Sequence, residues 1–326
     1  MNETIWLALS IAIPLLGAVA VSRLSDPGIA RRAALVVNSL ALFAALIAWG
    51  LFEFAGGPLA EIGSPEWPGA WLSVDRLSAP LGSLSALLFL VTTLVTLRTK
   101  IRRFSFSATL VAEAITLATL ACREPWGVVT LLSLGTIIPW LELRSRKQPV
   151  RMYVLHMGAF VVLMVLGQML EDYEGENRFI QWWASIPLLL AVLIRSGTAP
   201  FHMWVTDLFE RSSFGGALLY MTPMLGAYAV VRLVVPVSPD WVLRWIALLS
   251  LVTVFYTAGL ATVQREARRF FCCLFLSHSA LVLVGLELMT PLGLTGALCI
   301  WISVGLSLAG FGLTLRAVES RRGRLY

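Results

Sequence analysis

The sequence predicts an all-α polytopic membrane protein, a bundle of about eleven transmembrane helices. Three observations predict it. Hydrophobic residues fill 58% of the 326 positions and charged residues only 13%, with a mean hydropathy of +0.82; a soluble domain carries about a quarter charged residues. The runs between charges are long enough to cross a bilayer, which takes about 20 apolar residues. The runs are also continuously apolar rather than alternating. In hydrocarbon the backbone must satisfy its own hydrogen bonds, so this pattern selects helices over a closed barrel.

Taken in order, the runs fall at 4–22, 33–54, 78–97, 105–122, 125–143, 150–170, 180–200, 214–236, 241–263, 270–288 and 291–315. The first begins after Glu3 rather than after a basic segment and lacks a clear small-residue cleavage site, so it reads as a span and not as a cleaved signal peptide. The seventh contains Pro187, Gly197 and Pro200. Proline removes a backbone donor and clashes with the preceding turn, and glycine lowers the cost of irregular backbone, so an interruption is expected between Gly197 and Pro200. Gly215-Gly216, and the glycines from Gly305 to Gly312, are expected to allow close helix packing. No separate soluble domain is visible, and the whole of 1–326 reads as one membrane domain.

Charge gives the orientation. Most of the 25 Lys and Arg fall in alternate loops: Arg23, Arg31 and Arg32; Arg98, Lys100, Arg102 and Arg103; Arg144, Arg146, Lys147 and Arg151; Arg211; Arg265, Arg268 and Arg269; and Arg316, Arg321, Arg322 and Arg324. The opposite loops hold most of the acids, among them Glu61, Glu66, Glu171, Asp172, Glu174 and Glu176. Cytoplasmic loops collect Lys and Arg. The expectation is therefore an odd number of crossings in a bacterial-type cytoplasmic (inner) membrane, N-terminus outside and C-terminus cytoplasmic. Trp67, Trp71, Trp126, Trp182, Trp183, Trp241 and Trp245 stand near the outer ends of spans, as an interfacial belt requires.

Composition also excludes. The net charge of +6 is topogenic; no basic patch interleaves with aromatics, so nucleic acid is not an expected partner. The four cysteines, Cys122, Cys272, Cys273 and Cys299, lie in or at the ends of apolar runs without metal-site spacing. No Rossmann glycines, cysteine cluster or P-loop is present, so no cofactor is expected, and any electron transfer or hydrolysis falls to a partner.

The segment Arg195-Ser-Gly-Thr-Ala-Pro-Phe-His-Met-Trp-Val-Thr-Asp207 carries Pro200, His202, Trp204 and Asp207 at a specific spacing. It resembles a signature of the antiporter-like membrane subunits of respiratory complex I, Mrp-type cation/proton antiporters and membrane-bound hydrogenases, whose pattern runs Lys-Ser, then Pro-hydrophobic-His-x-Trp-Leu-Pro-Asp. Two further stretches agree. Val74-Asp75-Arg76-Leu77-Ser78 is similar to the family's Val-Asp-x-Leu-Ser, and Gln264 to Arg269 with Ser277-His278 is similar to its Gln-x-Asp-x-Lys-Arg loop and following helix. The resemblance covers nearly the whole chain. It implies two inverted five-helix repeats that meet near the midplane through broken helices. Members have about fourteen helices, so the resemblance places helices 1–3 in 1–103, a first repeat in 104–236 and a shortened second repeat in 237–326.

The family's charged relay is mostly replaced. Its glutamate on the fifth helix aligns near Ser133 or Gly135, its lysine on the seventh with Arg195, its lysine on the eighth near Met224, and its eleventh-helix positions with Ile300, Val304 and Leu308. A proton relay needs groups that exchange protons; Arg stays charged, and Met, Ile, Val and Leu do not titrate. Glu113, in the fourth span, and Arg195 are the charges left inside the membrane. Intramembrane charges mark function or a mutual pair. Glu113 therefore reads either as a surviving proton site or as the permanent partner of Arg195. His156, His202 and His278 can titrate, and His202 can equally brace a broken helix. Asp207 lies at the cytoplasmic end, facing water or capping the next segment.

The resemblance implies a subunit of an ion-translocating or proton-coupled complex, with other membrane subunits and a soluble protein as partners. The rival reading is a non-conducting subunit that anchors a soluble partner, in a redox or inorganic-carbon uptake complex. Topology is directly testable: reporter fusions after Arg103, Lys147 and Arg324 should all read as cytoplasmic, and a periplasmic signal at any of them would break the span assignment.

Overall fold

A computed structural model of the chain describes residues 2–54, 71–96, 101, 104–174, 181–288 and 290–322. Glu61, Glu66, Trp67, Glu176, Arg98, Lys100, Arg102, Arg103 and Arg324, used above, lie outside the described residues, as do the side chains of Glu174, Trp182 and Arg322.

The described residues are mainly helical, with an isolated bridge between Leu72 and Cys122, and the helices follow the sequence runs in order. The helices are α1 (Asn2–Ser22), α2 (Pro27–Phe54), α3 (Ser78–Leu94), α4 (Phe106–Ala121), α5 (Pro125–Gly135), α6 (Ile137–Ser145), α7 (Arg151–Glu174) and α8 (Gln181–Ser196). They continue with α9 (Met203–Arg211), α10 (Phe214–Met221), α11 (Leu225–Ala229), a π-helical segment Val230–Val234, α12 (Asp240–Val263), α13 (Ala267–Glu287) and α14 (Pro291–Arg322). Among the described residues, eight helical stretches are long and apolar enough to cross a membrane, and Ser78–Leu94, Phe106–Ala121 and Ser185–Ser196 are shorter apolar helices. Trp71, Trp183, Trp241 and Trp245 are exposed, as belt residues are.

Three runs are divided. The seventh is interrupted where the sequence predicts: α8 stops at Ser196, Gly197 takes a φ of +70°, the Ala199–Pro200 peptide is cis, and α9 starts at Met203. The eighth, read from sequence as one run over 214–236, breaks at Thr222–Met224 and then widens into the π-helical segment. Pro223 cannot donate to the carbonyl one turn earlier, and Met224 turns left-handed, with φ 48° and ψ 46°. The fifth steps at Thr136, where Pro139 leaves the carbonyl of Gly135 without its usual donor.

The chain forms two compact units, Met1–Ile138 and Pro139–Tyr326. In the first, α1 packs on α2 and α4, α2 on α3, α3 on α4, and α4 on α5. Small residues bring these helices close, α2 burying Ala30, Ala34, Ala41, Ala44, Ala45 and Ala48. Asn38 donates across to Thr93 Oγ1 at 3.0 Å. Asp75, in the stretch that opens α3, accepts from the amides of Leu77 (3.0 Å) and Ser78 (2.6 Å) and pairs with Arg123 at 3.5 Å. In the second unit α12 packs on α13, α7 on α8, and α13 on α14, while α9 lies against α13 and α7.

Gly197 is the residue that permits the seventh-span break. A Cβ there would lie 2.7 Å from Val205 Cγ2 and 3.0 Å from Leu276 Cδ2, at a backbone angle that L side chains resist. Gly197→Ala should lower the thermal midpoint of the detergent-solubilised protein, with a cost of about 1–2 kcal/mol from the left-handed angle alone. Gly259→Ala, in open space on α12, should leave that midpoint unchanged or raise it. Equal effects at the two positions would contradict this role for Gly197.

Candidate functional site

The break in the seventh span exposes backbone groups that no regular helix can pair. Several find a local partner. The amides of Gly197 and Thr198 donate to the carbonyls of Ile194 (3.2 Å) and Leu193 (3.1 Å), and that of Phe201 to Thr198 (2.7 Å). The Trp204 indole, fully buried, donates back to the carbonyl of Ile194 at 2.8 Å. The Ala199 amide donates to Thr253 Oγ1 on α12 at 3.2 Å. The motif residues Pro200 and Trp204 thus act together: proline ends one helix, and tryptophan ties the next back to it.

Arg195 sits in the last turn of α8 at the edge of this break, 3% exposed. Its guanidinium donates to the carbonyl of Tyr220 at 3.2 Å, contacts Met221 Sδ at 3.8 Å, and lies 4.0 Å over the Tyr220 ring. A cation–π contact of this kind contributes about 0.5–2 kcal/mol, more as water is excluded. Tyr220 is held in turn by Tyr153 and Trp204, with ring centroids 6.3 Å away in each case. The partners of the charge are therefore a carbonyl, a thioether and a ring, all neutral.

The eighth-span break faces the same place. Arg195, Ser196, Met221, Met224, Gly226 and Ser279 help line a small cavity of about 20 Å³, the room one water-sized group needs. Gly226 allows a close approach to Ser196: a Cβ there would displace the Ser196 hydroxyl and lie 3.3 Å from its backbone nitrogen. The Ser196 hydroxyl is buried without a hydrogen-bond partner among the described residues. Two interrupted helices, a fixed cation and a free hydroxyl thus share one small cavity. Arg195 cannot release its proton, so its chemistry is to set the local potential and orient what enters.

The other sequence-predicted residues are placed as follows. Glu113 is fully buried on α4, in the first unit, and neither carboxylate oxygen has a hydrogen-bond partner among the described residues. His202 begins α9 and meets the Tyr256 ring edge to face, centroids 5.4 Å apart. His156 and His278 each place Nδ1 against a carbonyl of their own helix, Met152 at 2.9 Å and Leu274 at 2.8 Å. Asp207 pairs with Arg211 at 2.6 Å, one turn on.

Sequence reasoning missed four groups. Tyr220 and Met221 hold Arg195, Tyr153 holds Tyr220, and none of them carries a charge to attract notice. Glu287 is 2% exposed at the end of α13, although its place at the end of an apolar run makes it look like a loop residue.

The model of the family described as NADH:quinone oxidoreductase/Mrp antiporter, TM, matches residues 151–325. NAD(P)H-quinone oxidoreductase chain 4 3 of Trichormus variabilis is 23% identical, covering 92% of this chain and 62% of that protein. F(420)H(2) dehydrogenase subunit M of Methanosarcina mazei is 26% identical over 143 residues, 42% of this chain and 29% of that protein. The chain thus spans less than two thirds of the length of these relatives. Among solved structures, respiratory complex I from Thermus thermophilus with bound NADH superposes with a TM-score of 0.79 at 19% identity, covering 98% of this chain and 72% of that one. The Mrp complex from Dietzia sp. DQ12-45-1b gives 0.80 at 17% identity, covering 98% and 66%. These structural neighbours are parts of multi-subunit membrane complexes. With more than half of its residues matched, and the helix break and its motif in place, this chain belongs to the NADH:quinone oxidoreductase/Mrp antiporter transmembrane family.

Proposed function

We propose that the chain is a membrane subunit of an ion-translocating, proton-coupled complex of the complex I or Mrp kind, where it helps move protons or cations across the membrane. One observation carries this reading: the seventh and eighth spans are both interrupted beside a buried fixed cation. Irregular backbone at membrane depth is tolerated where it is buried in protein or lines a cavity, and translocating folds use such breaks to build ion sites. A subunit that only anchors has no use for them, since unbroken helices serve that purpose at lower cost.

On this reading the chain does not catalyse a reaction by itself. It sits in an inner membrane, N-terminus outside, beside other membrane subunits and a soluble partner that supplies the driving reaction, such as oxidation of a nicotinamide or a similar donor. The repeat division, 104–236 complete and 237–326 shortened, belongs to the same proposal. Glu113, His156, His202, Asp207 and His278 are its candidate exchanging groups, and Arg195 its fixed charge. One observation favours the non-conducting alternative: the best-matched relay position holds Arg, which cannot relay a proton. A fixed cation can still serve translocation by biasing neighbouring titrations.

The test is proton movement by the assembled complex in proteoliposomes, followed with a pH-sensitive dye. Arg195→Met, in complex of normal yield, should cut the flux at least roughly tenfold, equivalent to about 1.4 kcal/mol. Arg195→Lys should retain more of it. Unchanged proton movement in Arg195→Met would leave the anchoring role standing instead.

A further inference from the structure

α13 ends on a carboxyl group that the site above does not use. Glu287 is 2% exposed, and neither of its oxygens has a hydrogen-bond partner among the described residues. Its polar neighbour is Ser250 of α12. Ser250 is itself fully buried, and its hydroxyl completes no hydrogen bond of good geometry among the described residues. Two orphaned groups of complementary chemistry thus face each other across the α12–α13 contact.

Ser250 opens a row of hydroxyls on one face of α12. Ser250, Thr253 and Thr257 are all fully buried, and residues three and four apart on a helix are neighbours. Thr253 Oγ1 donates to the carbonyl of Leu249 (2.9 Å) and accepts the Ala199 amide from the seventh-span break (3.2 Å). Thr257 donates to the carbonyl of Thr253 at 2.7 Å. The row therefore runs from the Glu287 carboxyl to the break, where His202 rests on Tyr256 of the same helix.

Among the described residues, no charge on the helices packed against α13 neutralises Glu287, and Arg321 of α14 is exposed. On α12, Asp240 and Arg244 are exposed. Arg195 of α8 is held by Tyr220 and Met221. On α9, Asp207 pairs with Arg211, and Glu210 with Arg269 of α13. On α14, Glu319 pairs with Arg268 of α13, and Arg316 has Glu142 as its attractive partner. α11, Leu225–Ala229, has no ionic group. On α13 itself, His278 bonds the carbonyl of Leu274. An ionised carboxylate so deeply buried, with no counter-charge among the described residues, is a state that hydrocarbon surroundings penalise heavily.

We infer that Glu287 is a proton-binding carboxyl, joined through Ser250 and Thr253 to the break in the seventh span. Its ligand is a proton, taken up and released at a carboxylate oxygen. The protonated acid has an O–H to donate, and the Ser250 hydroxyl, able both to donate and to accept, is the group placed to receive it. The inference concerns a second titrating centre, apart from the Arg195 cavity, and holds whether or not the assembled complex moves ions.

Infrared difference spectroscopy of the purified full-length chain, titrated with acid and base, reads this directly. A protonated carboxylic acid has its own carbonyl stretch, separate from that of a carboxylate. The wild-type chain should show such a band appearing and disappearing with pH. Glu287→Gln should remove one component of it, Glu113→Gln should leave that component in place, and Ser250→Ala should move its frequency and its midpoint. If Glu287→Gln gives too little folded protein, Ser250→Ala and Thr253→Val carry the test alone. A spectrum identical in wild type and Glu287→Gln, a component that never titrates, or a component indifferent to Ser250→Ala would each overturn the assignment.

Discussion

Inside a bilayer, every backbone N–H and C=O has to find its partner within the protein, and the second unit of this chain is organised around one place where the ordinary partners are missing. Between Ser196 and Met203 the helix stops. Each group left unsatisfied in hydrocarbon costs several kcal/mol. The structure offsets that cost with particular side chains. Trp204 reaches back to Ile194, Thr198 Oγ1 doubles its own amide's bond to Leu193 at 2.8 Å, and Thr253 reaches in from α12. These bonds fix where α8 ends, how α9 leaves it, and which face of α12 turns toward the break. Gly197 supplies the backbone angle, and Gly226 lets the neighbouring interrupted span approach Ser196.

Once the break is stable, charge placement follows. Arg195 cannot drop its proton to escape burial, so it needs neighbours that tolerate a permanent cation. Tyr220 meets that need twice, with its carbonyl and with its ring. Tyr220 is available because α10 ends one residue later, at Met221, before Pro223 interrupts the span. The two breaks are therefore coupled through one residue: the helix end that frees space for the cavity also presents the groups that hold the charge. A lysine in the same place would be a compact, strongly hydrated point charge that shifts its proton affinity readily when buried. Arg195 therefore polarises its surroundings and does not relay a proton.

Much of this was legible in the sequence because hydropathy and charge leave little choice. The apolar runs and the stop at Gly197–Pro200 both follow from the cost of exposing polar groups to lipid. The Pro200–His202–Trp204–Asp207 spacing located the break to within a turn. What stayed hidden depended on contacts between residues far apart in the chain. The eighth run reads as continuous over 214–236, although it contains Pro223, and nothing local told that Met224 would turn left-handed. Among the described residues Arg195 meets a carbonyl, a sulfur and a ring, groups that no charge pattern in the sequence singles out. Glu287 stands at the end of its run and is indistinguishable in sequence from a residue facing water. Only the packing of α12 and α14 against α13 shows it to be buried.

The central claim is that the interrupted seventh span is a satisfied structural element rather than a frayed one. Hydrogen–deuterium exchange on the full chain in lipid nanodiscs tests it most directly. The account predicts that the amides from Gly197 to Val205 exchange slowly, on the scale of the flanking helices, and that Thr253→Val selectively speeds exchange at Ala199. Fast exchange across the whole stretch in the unmutated protein, at the rate of the loop that joins α6 to α7, would contradict it.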